Sequence, residues 1–316
     1  MTSVSSRDDA VLVIDKPKGP TSHDVVAKVR RALRTRAVGH CGTLDPMATG
    51  VLVIAVGEAT KLVPWLTADD KSYEATIRFG VATDSLDADG RETERAELDD
   101  ALRTELAALA SGSPGSVRAR LAAALDAERA RTAQMPPAIS AIRIGGERAH
   151  ELVRRGEAPV LALREVAVRR IEVLGGGLEP EPHVRLSVDV AKGYFVRSLA
   201  RDLAAALGTL GHLTALRRTR SGAFTLADAV LLDAGPEALR EAALPIGRAA
   251  ARALPVSVLT AEGVTAAGHG QRLMPGQVLD PHATPSAWLD DAGALVAIGE
   301  VDPDGSGRVL RGFPRA

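Results

Sequence analysis

The chain has 316 residues, 46% apolar and 25% charged, enough to bury a sizeable core and to make two domains the ordinary expectation. Its 39 Lys and Arg balance 40 Asp and Glu to a formal charge of -1, which excludes a uniformly basic coat protein and leaves room for a local RNA-binding patch. The single Cys41 excludes a disulfide framework and any multi-cysteine metal site, while two Trp, two Tyr and four Phe exclude extended base stacking along a strand.

In chain order, residues 1–10 are polar, lack the apolar segment of a secretory signal, and are expected to form a disordered tail. No run of about 18 apolar residues exists, so the expectation is a cytoplasmic protein with no membrane partner. Val11–Ile14 reads as a buried strand, stopped by Asp15-Lys16-Pro17-Lys18-Gly19-Pro20. Thr21 or Ser22 can cap the next helix, with Asp24 in capping-box spacing from Thr21. Val25, Val26, Val29 and Leu33 supply its apolar side, and Lys28, Arg30, Arg31, Arg34 and Arg36 its basic one. Such a face is ordinarily just solvated. Five cations with no acid between Asp24 and Asp45 point instead to an anionic partner.

Gly39–Pro46 reads as a tight loop and Gly50–Gly57 as a buried strand after it. Alternation puts Tyr73, Ala75, Ile77 and Phe79 on one face of a strand, and Glu74, Thr76 and Arg78 on the other. An acidic stretch, Asp84–Asp100, leads into two Ala-rich helical segments, Leu98–Ala110 and Val117–Ala130, split by the linker Ser111-Gly112-Ser113-Pro114-Gly115. The expectation for 98–130 is a solvent-facing helical insertion. A strand at Ile139–Ile144, a short helix at Glu147–Arg155 and alternating strands at Leu163–Leu174 and Val184–Val190 follow. Val196, Leu199, Ala200, Leu203 and Leu207 make a helix stripe, and a Gly- and Pro-rich tail from Ala251–Pro255 reads as a small all-β module.

Phosphate-loop, dinucleotide and nucleophile-elbow signatures are missing, and the seven His show no zinc spacing, so no metal or cofactor is expected. Chemistry would then run on side chains alone. The densest candidate is the loop Gly39–Gly50, in which three glycines and a proline bracket His40 and Asp45. Leu44-Asp45-Pro46 read alone is more often a turn with a side-chain cap, and local chemistry does not decide the matter.

The ordered segments Asp15-Lys16-Pro17-Lys18-Gly19, Gly39-His40-Cys41-Gly42-Thr43-Leu44-Asp45-Pro46 and Gly50-Val51-Leu52 resemble the bacterial tRNA pseudouridine-55 synthase family, the TruB type. Asp70-Lys71-Ser72-Tyr73, Pro136-Pro137 with Ser140-Ala141, Lys192-Gly193-Tyr194-Phe195-Val196-Arg197 and His212-Leu213-Thr214-Ala215-Leu216-Arg217-Arg218 extend the resemblance over roughly residues 10–230. It implies an α+β fold: a catalytic domain at 11–250 with a mixed, mostly antiparallel sheet flanked by helices, and a PUA-like RNA-binding β module at 251–316. An RNA-clamping thumb would fall at about 131–160.

The same resemblance implies an isomerase that extrudes uridine 55 from the T-arm loop of tRNA and rejoins the uracil through C5. Asp45 stands at the family's catalytic aspartate as nucleophile, and Arg197 at the arginine that pairs with it. Tyr73 stands where a tyrosine packs on the target base. Phe195 and Leu216 would line the uracil pocket, and His40 would prop the loop open. Lys16, Pro17 and Gly42 would support the catalytic loop, while Arg30, Arg31, Arg34, Arg217 and Arg218 would contact phosphates. Neither a cofactor nor a protein partner is implied, and a monomer is expected. Phe195 replaces a usual Tyr, Ile139 a usual aromatic, Arg143 a usual Lys and His150 a usual Tyr, which bears on RNA grip more than on chemistry. Alternatives are a related synthase acting on another RNA and a tRNA-binding protein without catalysis.

Overall fold

The computed structural model describes residues 9–67, 69–110, 117–140 and 142–314. They divide into one unit built from residues up to Asp45, Gly50–Asp69 and Ser221 onward, and a second built from Pro46–Thr49 and Asp70–Arg220. The chain thus leaves the first unit after Asp69 and returns to it at Ser221.

The first unit opens with β1 (Ala10–Lys16), α1 (Ser22–Leu33), β2 (Val38–His40), β3 (Thr49–Val56) and the short α2 (Val63–Leu66). β1 runs antiparallel to β3 from Ala10 opposite Val56 to Lys16 opposite Gly50. Both strands are near-continuous apolar runs and both are buried almost throughout, as central strands covered on two faces must be. The expected tail of residues 1–10 is corrected at its end. Residues 1–8 lie outside the described ones, but Asp9 accepts from the Glu58 backbone N–H at 2.7 Å and Ala10 is buried at the start of β1.

The second unit contains β4 (Lys71–Phe79), β5 (Val81–Thr83), β6 (Glu92–Arg95), α3 (Asp100–Leu109), α4 (Ala119–Arg129), β7 (Ala133–Gln134), β8 (Arg143–Ile144), β9 (Glu147–Arg148), α5 (Ala149–Arg154), β10 (Arg164–Glu165), β11 (Val168–Gly177), β12 (His183–Val190), α6 (Val196–Ala206) and β13 (Gly211–Ser221). Its sheet runs in the order β11-β12-β4-β13. Antiparallel register sets Tyr73 opposite Val188, Ala75 opposite Leu186 and Ile77 opposite Val184, so the alternation of β4 meets matching apolar positions on one face. The α6 stripe is buried on its whole apolar side, including Leu207 just past its end. The strand expected over 139–144 shrinks to the two residues of β8.

The solvent-facing insertion is corrected. α3 buries Leu102, Leu106 and Leu109, α4 buries Leu121 and Leu125, and both pack on β11. Glu105 of α3 accepts from the backbone N–H groups of Arg120 and Leu121 at 3.2 and 2.9 Å, supplying the start of α4 with the cap its own sequence lacks. The linker 111–115 lies outside the described residues.

Back in the first unit come β14 (Phe224–Thr225), β15 (Val230–Leu231), α7 (Pro236–Glu241), β16 (Leu244–Pro245), α8 (Ile246–Ala253), β17 (Val256–Leu259), α9 (Ala261–Gly268), β18 (Val278–Leu279), β19 (Ser286–Leu289), β20 (Leu295–Val301) and β21 (Gly307–Gly312). β15 joins β1 in parallel and β16 joins it antiparallel, which makes this sheet mixed. A five-stranded sheet, β18-β17-β19-β20-β21, forms the C-terminal module. The module expected as all-β also carries α9, capped by Thr260. The composition shift at Ala251–Pro255 does not interrupt the apolar core. Ala249 and Ala250 of α8 join Val11, Val53, Ala287 and Ile298 in one buried cluster.

Candidate active-site residues

Asp45 sits half-buried at the end of a loop whose backbone is gripped from α1. Ser22 Oγ accepts from the Leu44 N–H at 2.9 Å and donates to the Leu44 carbonyl at 3.0 Å, with Ser22 and Leu44 both buried. One hydroxyl therefore satisfies both backbone groups of the residue before Asp45. Thr21 takes the cap of α1, accepting from Asp24 N–H while Asp24 answers in a capping box, and this leaves Ser22 for the loop. Spacing alone left Thr21 and Ser22 as equal capping candidates. Hydrogen bonds from the Thr21 hydroxyl and backbone N–H hold the Asp24 carboxyl below its usual pKa.

Lys16 is fully buried, with its ammonium donating to the Pro17 and Pro20 carbonyls at 2.9 and 2.8 Å. Those bonds close the Pro17–Pro20 bend, a supporting geometry for Lys16 and Pro17. Gly42 takes φ 93°, a left-handed conformation that suits glycine in so tight a loop. His40 ends β2 and packs its ring edge against His23 of α1, centroids 5.2 Å apart.

In the second unit Arg197 opens α6 and is only 7% exposed, so a solvated surface arginine is ruled out. Its Nη1 donates to the carbonyls of Ser85 and Ile139, each at 2.9 Å, and lies 3.6 Å from Asp87 Oδ2. Asp87 is itself buried and bonded to the Ser85 hydroxyl at 2.5 Å. Sequence reading placed Asp87 in an acidic stretch without singling it out. The signal was present in Thr83-Asp84-Ser85, a cluster of short polar residues that fold back on their own backbone. Carbonyls and a carboxylate around a buried guanidinium fix its plane and direction.

Tyr73 is buried on the apolar face of β4, and no described residue bonds its hydroxyl. Phe195 is half-buried just before α6, with its backbone held twice by the Gln134 side chain: N–H to Oε1 at 2.9 Å and Nε2 to the carbonyl at 3.2 Å. Leu216 is buried on β13. The second unit thus brings Tyr73, Phe195, Arg197 and Leu216 into one fold, and the first holds Lys16, Pro17, His40, Gly42 and Asp45.

Among the phosphate candidates, Arg31 and Arg34 are exposed at the end of α1. Arg34 also lines a cavity of about 410 Å³ with Thr35 and Arg240. Arg30 uses one nitrogen on the Val38 carbonyl at 2.8 Å. Arg217 is half-buried beside Thr49. Arg218 is corrected: at 1% exposure its guanidinium lies inside the protein and offers no surface to a phosphate. The His150 side chain and Ala141 lie outside the described residues. Among the described residues no helix is long and apolar enough to cross a membrane.

Residues 30–196 match the TruB family pseudouridylate synthase N-terminal domain, and 197–246 the tRNA pseudouridylate synthase B C-terminal domain. The tRNA pseudouridine synthase B of Thermobifida fusca is 42% identical over 300 residues, covering 92% of this chain and 94% of that one. Its counterpart in Corynebacterium aurimucosum is 43% identical over 301 residues, covering 93% and 89%. Among solved structures, a chain of a Cbf5-Nop10-Gar1 complex superimposes with a TM-score of 0.69 at 24% identity, over 98% of this chain and 85% of that one. At that identity the likeness concerns the fold.

Proposed function

Because the chain belongs to the TruB family of pseudouridylate synthases, we propose that it isomerises uridine 55 in the T-arm loop of tRNA to pseudouridine. The C1′–N1 bond breaks, the uracil turns, and a C1′–C5 bond forms. C5 then loses its proton and N1 gains one, so the atoms balance without oxidant, reductant or cofactor. Asp45 is the nucleophile, suited to forming and releasing a bond to carbon. Arg197 is the cation that keeps this carboxylate ionised and aimed. Tyr73 packs on the extruded base with Phe195 and Leu216 and carries the C5 proton, a role that its unengaged hydroxyl suits. His40 keeps the vacated tRNA loop open, and Lys16, Pro17 and Gly42 hold the Asp45 loop.

The observation that carries this reading is the buried Arg197, its Nη1 bonded to two carbonyls and close to the Asp87 carboxylate. A protein that only bound tRNA would have no use for so expensive a placement of a cation. Arg30, Arg31, Arg34 and Arg217 contact phosphates, which position the RNA without reading sequence. The catalytic domain spans 11–250, with a thumb at about 131–160, and the module at 251–316 adds RNA-binding surface. The enzyme works in the cytoplasm as a monomer, with no protein partner.

The test is an unmodified tRNA transcript with mapping of the modified position. Wild-type protein is expected to convert uridine 55 without added metal or nucleotide. Asp45→Asn should slow conversion by at least about 10³-fold while transcript affinity holds. Conversion at another position, or equal conversion by the Asn variant, would remove the assignment.

A further inference from the structure

α4 belongs to the helical segment 98–130, and one of its side chains reaches the turn that carries Phe195 and Arg197. Glu128 is 2% exposed and accepts from the Tyr194 hydroxyl at 2.7 Å through Oε1. Its Oε2 accepts from Arg131 Nε at 2.7 Å, and Arg131 lies 3.8 Å from Asp202 of α6. A buried carboxylate is tolerable only when its oxygens are so occupied. Burial, then the neighbouring Glu128 carboxylate, pushes the Tyr194 phenol well above its ordinary pKa, so it stays protonated and acts as a donor.

The turn needs an external tether. Gly193 sits at φ 87°, and the turn's own backbone bond, Tyr194 N–H to the Ala191 carbonyl, is long at 3.4 Å. Two side chains from the preceding segment hold it instead: Gln134 on the Phe195 backbone and Glu128 on the Tyr194 hydroxyl. Gln134 fixes a single residue through its main chain. Glu128 ties the turn to α4, which packs on both β11 and α6.

We propose that Glu128 and Tyr194 are positioning residues for the isomerisation: their hydrogen bond fastens the 192–197 turn, and through it the Phe195 ring and the Arg197 guanidinium, to α4. Within the helical segment 98–130, α4 alone is on this account a brace for the reacting groups. The inference rests on the function proposed above, in which Phe195 lines the uracil pocket and Arg197 aims the Asp45 carboxylate.

The test reads single-turnover conversion at saturating transcript together with transcript affinity. Tyr194→Phe and Glu128→Ala should each slow conversion by about tenfold, as small misplacements of reacting groups do, with affinity unchanged within about twofold. Glu128→Gln keeps an acceptor for the phenol and should restore the rate to within about threefold of wild type. The Tyr194→Phe/Glu128→Ala double variant should be no slower than Glu128→Ala, because both remove one bond. Leu102→Ala, in the core of α3, should lower the melting temperature and leave the rate unchanged.

Four results would overturn the proposal: an unchanged rate in Tyr194→Phe, failure of Glu128→Gln to rescue, equal slowing by Leu102→Ala, or a loss confined to affinity. If Tyr194→Phe does not fold, Glu128→Ala against Glu128→Gln carries the same comparison. A wild-type chain that forms no pseudouridine would defeat the proposed function. An active wild type with an equally fast Tyr194→Phe would defeat this inference alone.

Discussion

The loop that carries Asp45 and the Arg197 side chain are held by different kinds of contact. Before Asp45 the protein grips backbone: Ser22 satisfies both polar groups of Leu44, and Lys16 closes the bend after β1. At Arg197 it grips the functional group itself, through two carbonyls on Nη1 with Asp87 close by. The difference follows from what each group must do. In the proposed function Asp45 is a nucleophile, and a rigid backbone fixes where its carboxylate stands. A guanidinium carries its donors in a rigid fork, so bonds on one nitrogen set the direction of the whole group.

The largest effect that sharpens this comparison is expected from Arg197→Lys. Lysine keeps the charge but not the planar fork, so it cannot hold the two carbonyls and an outward direction together. Conversion should fall by about 10²-fold with tRNA affinity retained, as measured by single-turnover assay. A lysine variant as fast as wild type would mean that charge alone matters, and that the grip on the guanidinium is incidental.

A smaller effect is expected from Ser22→Ala, which strands a buried N–H and a buried carbonyl at Leu44. Stability should drop by about 2 kcal/mol, read from urea unfolding midpoints, and conversion should fall with it. An unchanged rate would show that the Asp45 loop is held by something other than its backbone.

The smallest concerns the cap of α1, one residue before the serine that grips the loop. Thr21→Ala should cost about 1 kcal/mol at neutral pH. Hydrogen bonds from Thr21 lower the Asp24 pKa, so its share of the stability is complete above the unfolded carboxylate value of 3.8 and is lost as pH falls through the lower folded value. Urea titrations of wild type and Thr21→Ala at pH 7 and pH 3 should therefore converge partly at the acid end. A gap independent of pH would detach Asp24 from the cap.

Much of the fold was legible because its signals are local. The alternation Tyr73–Phe79 became β4 with the expected face buried, and the stripe from Val196 became α6. The apolar runs at Val11 and Gly50 became β1 and β3, and Thr21 with Asp24 marked the start of α1. Where the reading failed, composition was ambiguous. The Ala-rich segments read as a solvated insertion because alanine leaves the buried side of a helix faintly marked, whereas Leu106 and Leu121 lie against the second unit's core. Arg218 read as surface because arginine usually is, and Asp87 went unnoticed among its acidic neighbours.

The sequence by itself determined most strands and helices and the apolar faces of β1, β3, β4 and α6, and through the ordered segments around Asp45 and Arg197 the family and its chemistry. Those properties depend on periods of two to four residues or on short stretches of side chains, so each can be read within its own window. Only the tertiary structure decided which group holds which: Ser22 on Leu44 across 22 positions, Gln134 on Phe195 across 61, Glu128 on Tyr194 across 66 and Arg197 on the Ser85 carbonyl across 112. Spacing along the chain carries no record of such pairs. They arise when packing closes the intervening loops and brings each buried donor within reach of an acceptor.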